Sequence, residues 1–251
     1  MATDTPPEER LIVGLQPVRE AIRVRGDQLH AVLVQTSTGA NRERLDGVAR
    51  FATDHGATVR RVPRSELESL SKGTSHQGCA AIAPPLALTD VEELLSKSRV
   101  IVAIDNIQDP QNFGAIIRSC VGLGADGVLW AENNSAPLST ATFRASAGAI
   151  EHATLCRVNS LRGALQDAQG RGFVTVGLDA SASGSLRDAP LGDRVVVVVG
   201  SEHTGLERAV RRACSHLARL TTAKTIDSLN ASVAAALAIY ECQIQQSSSD
   251  T

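Results

Sequence analysis

Residues 194–206, Arg194-Val195-Val196-Val197-Val198-Val199-Gly200-Ser201-Glu202-His203-Thr204-Gly205-Leu206, decide the fold class. Five consecutive valines cannot alternate between a core face and a wetted face. They read as a strand buried on both sides, and such strands belong to parallel sheets covered by helices. Gly200 and Gly205 flank an acid, letting the backbone bend sharply and come close to a ligand. The same residues also suit an ordinary strand-to-helix turn with Glu202 near the helix start. No Gly-Lys-Ser/Thr follows, so this is not a phosphate-cradling P-loop. His203 has no Ser/Asp pair at a spacing that would make a hydrolytic triad.

Outward from this strand, the second half alternates apolar strands with helical patterns. Strands are predicted at 99–104, 126–130, 173–178, 194–199 and 216–220, and helices at 113–123, 138–147, 160–170, 204–214 and 228–243. The first half reads as a helix through Val18, Ala21 and Ile22, a strand at 31–35 and a helix at 42–54. A strand at 57–62, a short helix at 64–70 and a strand at 79–83 complete it. Pro84-Pro85 supplies no backbone donor and ends that last strand. The spacing therefore divides the chain into an expected disordered tail at 1–10, a small domain at 11–83, a linker at 84–98 with a short helix at 90–96, a larger domain at 99–244 and a second expected disordered tail at 245–251. No internal repeat is visible.

Two further segments are dense in polar side chains where ligands bind in open α/β sheets, beyond the carboxyl ends of strands. Asp105-Asn106-Ile107-Gln108-Asp109-Pro110-Gln111-Asn112-Phe113-Gly114 directly follows a strand, with Arg118 beyond it on the next helix among Ile116, Ile117 and Val121. Asn112 is either a helix cap or a site residue. Asp227-Ser228-Leu229-Asn230-Ala231-Ser232 opens an Ala-rich helix, where Ser228 and Asn230 are open to the same two readings, and whose small side chains allow close packing. A literal G-x-G-x-x-G at Gly122, Gly124 and Gly127 is not a dinucleotide loop. It ends a helix and leads into a strand, whereas a pyrophosphate site must leave a strand and open a helix.

Bulk properties set outer limits. The chain has 251 residues, 43% hydrophobic, with six aromatic residues and a formal net charge of −2. Rows of stacked rings are excluded as a binding device, and a nucleic-acid partner requires a local patch. Three lysines leave arginine as 22 of the 25 cations. Arg42, Arg44, Arg60, Arg61 and Arg64 in front, with Arg208, Arg211 and Arg212 behind, are candidates for phosphate contacts. The five scattered cysteines suit a reducing, cytoplasmic setting without disulfides or a zinc site, and no metal is expected. The polar first residues do not read as a signal peptide, and no apolar run suits a membrane span.

Taken in order, these motifs resemble the SPOUT superfamily, and within it the SpoU-type RNA ribose 2′-O-methyltransferases. DNIQDPQNFGAIIRS looks like the first motif, VVVGSEHTGL the second and LTTAKTIDSLNAS the third, with SAPLSTATFRASAGAIEH (135–152) similar to the middle region. IVGLQPVREAIR and SHQGCAA resemble the small substrate-binding domain of bacterial 23S rRNA guanosine 2′-O-methyltransferases, so the likeness spans 11–244. The resemblance implies an α/β fold: a trefoil-knotted parallel-sheet methyltransferase domain preceded by a small α/β RNA-binding domain, assembled as a homodimer with the active site near the interface. It implies S-adenosylmethionine as cofactor and a ribose of RNA as acceptor, a guanosine of 23S rRNA first. The alternatives are a tRNA ribose methyltransferase, an rRNA-methylating antibiotic-resistance enzyme, or a non-catalytic ribosome-assembly factor.

By position, the resemblance carries Asn112, Arg118, Glu202, Ser228 and Asn230 over as the catalytic polar set. It carries Leu178, Gly200, Gly205, Leu220 and Leu229 over as cofactor contacts. The chain departs from the usual pattern at His203, where glycine is usual, at Thr221, where proline is usual, and at Asp227, where serine is usual. Family proposals make Arg118 the base. Because arginine stays protonated, the physical expectation here is that Arg118 binds phosphate and stabilises the developing alkoxide, while Glu202 or a phosphate oxygen takes the proton.

Overall fold

The structure, a computed structural model, describes residues 9–38, 40–133, 135–223 and 229–249. The chain forms two compact units: Met1–Ala87 with Leu138–His152, and Leu88–Pro137 with Ala153–Thr251. The first unit therefore takes in 138–152, a stretch that the linear reading places inside the larger domain.

The first unit contains β1 (Arg10–Val13), α1 (Leu15–Arg25), β2 (Ala31–Gln35), α2 (Ala40–Asp54), β3 (Val59–Val62), α3 (Arg64–Ser71) and β4 (Cys79–Ala83). Its sheet has the order β1-β4-β2-β3, with β4 antiparallel to β1 and β2, and β2 parallel to β3. β1 is a strand that the sequence reading did not assign, and Arg10, expected in a tail, is its first residue and is buried. Polarity misleads here because the guanidinium is neutralised inside the unit. Arg10 Nη1 and Nη2 donate to both carboxylate oxygens of Glu151 at 2.5 and 2.7 Å, and its Nε donates to Pro84 O at 2.7 Å. Arg25 adds a second cation to Glu151 at 3.1 Å.

The second unit opens with α4 (Val91–Lys97), β5 (Val100–Ile104), α5 (Pro110–Leu123) and β6 (Gly127–Ala131). The chain then makes α6 (Thr140–Ala145) and the turn ending at His152 within the first unit. It returns for β7 (Leu155–Val158), a strand also missing from the sequence reading, and α7 (Leu161–Gly170). After these come β8 (Val174–Leu178), β9 (Val195–Val199), α8 (Arg208–Ala213), β10 (His216–Ala218) and α9 (Ala231–Ser249).

All six strands of this unit run parallel in the order β10-β8-β9-β5-β6-β7. Expectation and structure agree on the valine run. Val195 to Val199 pair with β5 on one side, Val195 to Val198 pair with β8 on the other, and all five are buried. Each such side chain contributes about 1.5–3 kcal/mol of burial.

Helix limits differ for local reasons. α5 starts at Pro110 because Asp109, not Asn112, caps it: the Asp109 carboxylate accepts from Gln111 N at 3.0 Å and Asn112 N at 3.3 Å. α5 ends at Gly124, whose φ of +78° is the left-handed stop expected of that glycine cluster. α9 runs on to Ser249, so 245–249 are helical, not a tail. Gln245 Nε2 donates to Arg187 O at 3.0 Å, and the buried Gln246 donates to Asp193 O at 3.2 Å. The resemblance implies a trefoil knot with a threaded C-terminal segment, and residues 224–228 and 250–251 of the C-terminal part lie outside the described residues. No helix among the described residues is long and apolar enough to cross a membrane. No group of three or more His, Cys, Asp or Glu among them is placed to hold a metal.

Candidate active site

The carboxyl ends of β5, β8, β9 and β10 release four loops at one edge of the parallel sheet, and the polar motifs lie on these loops. After β9 the chain closes on itself: Ser201 N donates to Gly205 O at 3.2 Å, and Gly205 N donates back to Ser201 O at 2.9 Å. Ser201 and Thr204 hydroxyls lock the turn at 2.6 Å. A Cβ at Gly200 would stand 2.6 Å from Leu206 N and overlap the Gly205 carbonyl, so only glycine fits there. Gly205 has φ +65°, again a glycine conformation. This closed loop occupies the first residues of the helix expected at 204–214, and α8 begins only at Arg208.

Asp105, the first residue beyond β5, anchors the loop from below. It is buried, and its Oδ2 accepts from Glu207 N at 2.6 Å. Burial pushes its carboxyl above the usual range, only partly offset by that hydrogen bond. The sequence reading quoted Asp105 within its motif but assigned it no role. Its signal was an acid abutting an apolar strand.

The turn presents Glu202 to two other elements. Glu202 Oε1 accepts from Asn112 Nδ2 at 3.0 Å, from Asn230 Nδ2 at 2.5 Å and from Ala231 N at 3.1 Å. Asn230 Nδ2 also donates to Asn112 Oδ1 at 2.9 Å. Three segments separated by about 90 residues or more from one another, or by 28 in the nearest case, thus meet at one carboxylate oxygen. Asn230 serves both readings left open for it. Its Oδ1 caps α9 by accepting from Ser232 N at 3.0 Å and Val233 N at 3.3 Å, while its amide holds Glu202. Asn112 leaves capping to Asp109, which frees its side chain for Glu202. No hydrogen bond from a described residue engages Glu202 Oε2.

Leu178, Gly200, Gly205, Leu220 and Leu229 all line one cavity of about 810 Å³, with Thr221 and Ala231 on the same wall. A second cavity of about 350 Å³ is lined by residues 106–109, Asn112 and Ala231. Residues 201–204, Glu202 among them, belong to both walls. Arg211 lines the larger cavity and is paired to Asp179 at 2.6 Å, where hydrogen bonds from Ser181 and Arg211 hold the Asp179 carboxyl below its usual range. The departure at His203 lies in the turn, exposed on both walls.

Arg118 is not brought to this cluster. It is exposed on α5, lines neither cavity and forms no ion pair with a described residue. Ser228 and Asp227 lie outside the described residues.

With the geometry in view, the comparisons converge. Residues 99–240 match the model of the SpoU rRNA Methylase family, and residues 11–89 match a model described as RNA 2′-O ribose methyltransferase substrate binding. A protein of Mycobacterium avium named an uncharacterized tRNA/rRNA methyltransferase is 37% identical over 244 residues, covering 95% of this chain and 78% of the relative. The AdoMet-bound rRNA methyltransferase of Sinorhizobium meliloti superposes with a TM-score of 0.77 at 21% identity, covering 95% of this chain and 88% of that one. The SpoU methyltransferase AviRb of Streptomyces viridochromogenes gives 0.76 at 24% identity, covering 96% and 91%. At these identities the two structures attest the fold.

Proposed function

The chain belongs to the SpoU rRNA methylase family, and from that premise we propose that it transfers a methyl group from S-adenosylmethionine to a ribose 2′-hydroxyl of RNA, a guanosine of 23S rRNA being the first candidate. The observation that carries this reading is the meeting of Asn112 and Asn230 on Glu202, a residue of the wall shared by the two cavities.

The larger cavity suits the cofactor. Leu178, Leu220 and Leu229 offer apolar surface to a purine, and the backbone at Gly200 and Gly205 is unshielded by side chains. When bound, S-adenosylmethionine supplies an electrophilic methyl group. Asn112 and Asn230 fix Glu202 by tying down Oε1, which leaves Oε2 to accept a hydrogen bond from the ribose hydroxyl and then its proton. Positioning of the acceptor by these three residues is the main contribution, since an aligned nucleophile removes much of the entropic barrier.

The family's homodimer supplies the place for Arg118. α9 packs along α5, as shown by Gln243 Nε2 donating to Gly124 O at 2.7 Å, and exposes Val233, Leu237 and Tyr240 at four- and three-residue spacing. A second copy covers this stripe, and Arg118 acts on the RNA phosphate in the partner's site.

Transfer of labelled methyl into large-subunit rRNA and into a tRNA pool, with and without wild-type enzyme, tests the activity and the acceptor. Glu202→Gln is expected to lower kcat by about 100-fold or more. Mixing Glu202→Gln with Arg118→Ala should restore about one quarter of wild-type activity, because half of the mixed dimers carry one intact site. No restoration would place Arg118 in its own chain's site. Labelling confined to tRNA would overturn the rRNA assignment.

A further inference from the structure

A cavity in the first unit, far along the sequence from the catalytic motifs, has no role in the chemistry above. It holds about 570 Å³ between the carboxyl end of β2, the first turns of α2 and α3, and the turn before β4. Gln35, Asn41, Arg44, Arg64 and His76 supply polar atoms, and Leu45 supplies the apolar floor. Gly78 (φ +86°) makes that floor possible: a Cβ there would come within 2.9 Å of both Leu45 methyl carbons.

The cations around this cavity are unequal. Arg64 is held by Glu68 at 2.7 Å, Arg60 by Glu66 at 3.5 Å, and Arg42 and Arg61 both by Asp46. Arg44 is exposed and has no ion pair with a described residue. His76 Nδ1 accepts from Gly78 N at 3.0 Å, so in the neutral ring Nε2 carries the proton and serves as a donor.

We propose that this cavity takes a single unpaired nucleotide of the RNA substrate, with Arg44 lying against the base or its phosphate and Gln35, Asn41 and His76 reading the base edge. The proposal rests on the RNA-methyltransferase reading and deepens it. Three observations support it together. The volume lies in the range of small-ligand pockets, whereas a duplex presents a ridge of phosphates. The lining mixes amide and imidazole donors and acceptors with the Arg64–Glu68 pair and the Arg44 guanidinium, which has no ion pair with a described residue, the chemistry that recognises splayed-out bases. No aromatic residue lines it, so recognition is by hydrogen bonding and the guanidinium plane, consistent with a chain holding only six aromatics.

The test compares wild type with Arg44→Ala, Arg44→Lys, His76→Ala and, as a charge control on the same helix, Arg42→Ala. Thermal melts establish that each is folded. Anisotropy is read with a labelled RNA hairpin carrying a randomised loop, with the same stem as a blunt duplex, and with free nucleoside monophosphates as competitors. Methyl transfer into rRNA and tRNA is followed in parallel.

Arg44→Ala and His76→Ala are expected to weaken hairpin binding and raise KM for RNA by about tenfold, leaving kcat, S-adenosylmethionine affinity and duplex binding within about twofold. Arg44→Lys should not rescue, since the flat guanidinium is required. Absence of hairpin binding by wild type, unchanged hairpin affinity in both alanine variants, or an equal loss with Arg42→Ala or on the duplex overturns the proposal. Competition by a monophosphate as strong as by the hairpin assigns the cavity to a free nucleotide and overturns it too. If wild type methylates no RNA yet the hairpin discrimination holds, the methylation reading falls and the cavity's assignment stands.

Discussion

Glu202 concentrates three donors on one oxygen, and two of the three come from side chains whose role the sequence left undecided. Asn112 and Asn230 are both asparagines at helix starts, and the same amide group suits a cap or a site. The choice at Asn112 was settled by a neighbour three residues away: Asp109 took the cap. At Asn230 no choice was needed, because the carbonyl caps and the amide reaches Glu202. The glycine reading was the most legible part of the site, since a turn around an acid demands one at each end. Gly200→Ala is therefore expected to destabilise the chain by about 1–3 kcal/mol and to abolish S-adenosylmethionine binding in calorimetry, because backbone must move to admit the methyl group. Asp105 carries a separate expectation. Its folded carboxyl is raised above the ordinary 3.8, so the native chain holds that proton more tightly than the unfolded chain does. The resulting stability is present below the unfolded value and lost as pH rises through the folded one. Asp105→Asn keeps an acceptor for Glu207 N and removes this loss. Its advantage in Tm over wild type should grow as pH rises above the ordinary carboxylate value, and a constant offset would refute the assignment.

At the scale of elements, the parallel sheet was legible because its strands are buried on both faces and say so residue by residue. β1 and the segment 138–152 were not, because what joins them is a charge pair between residues 141 apart, which leaves no local pattern. Arg10 and Glu151 each look like a solvated residue when read alone. Their side chains are 6% and 1% exposed, so removing one strands the other in the interior. Arg10→Ala is expected to cost about 3 kcal/mol, read as a lower denaturant midpoint, with Arg25 retaining part of the compensation. Glu20 adds a second tie in the same unit. Burial would raise its carboxyl, but hydrogen bonds from His152 and Arg23 outweigh this and hold it below the ordinary value. That contribution is present above the ordinary carboxylate range and fades on acidification. Packing is tight beside it: a Cβ at Gly148 would come within 2.7 Å of Glu20 Cβ and 2.9 Å of Pro17 Cα. The end of α9 was misread for a similar reason, as its glutamines are anchored to carbonyls of the distant segment 186–193.

For the molecule as a whole, a net charge of −2 leaves a nucleic-acid partner only a local patch of cations to meet, and the structure shows how those cations are paired. Four of the five front arginines are spent on acids, leaving Arg44, and behind them Arg211 is spent on Asp179. Affinity for RNA should accordingly depend only modestly on salt, with log K falling against log salt with a slope no steeper than about −4 in anisotropy titrations. A steeper slope would mean that these pairs open and their arginines join the phosphates. The excursion of the chain through 138–152 also bears on how the protein is made. Arg10 emerges from the ribosome early, but Glu151 follows 141 residues later, a wait of the order of ten seconds at ordinary elongation rates. Throughout that interval the nascent front unit carries an arginine destined for burial without its counter-ion, so it stays open to proteases until the first stretch of the second unit, Leu88–Pro137, has been synthesised.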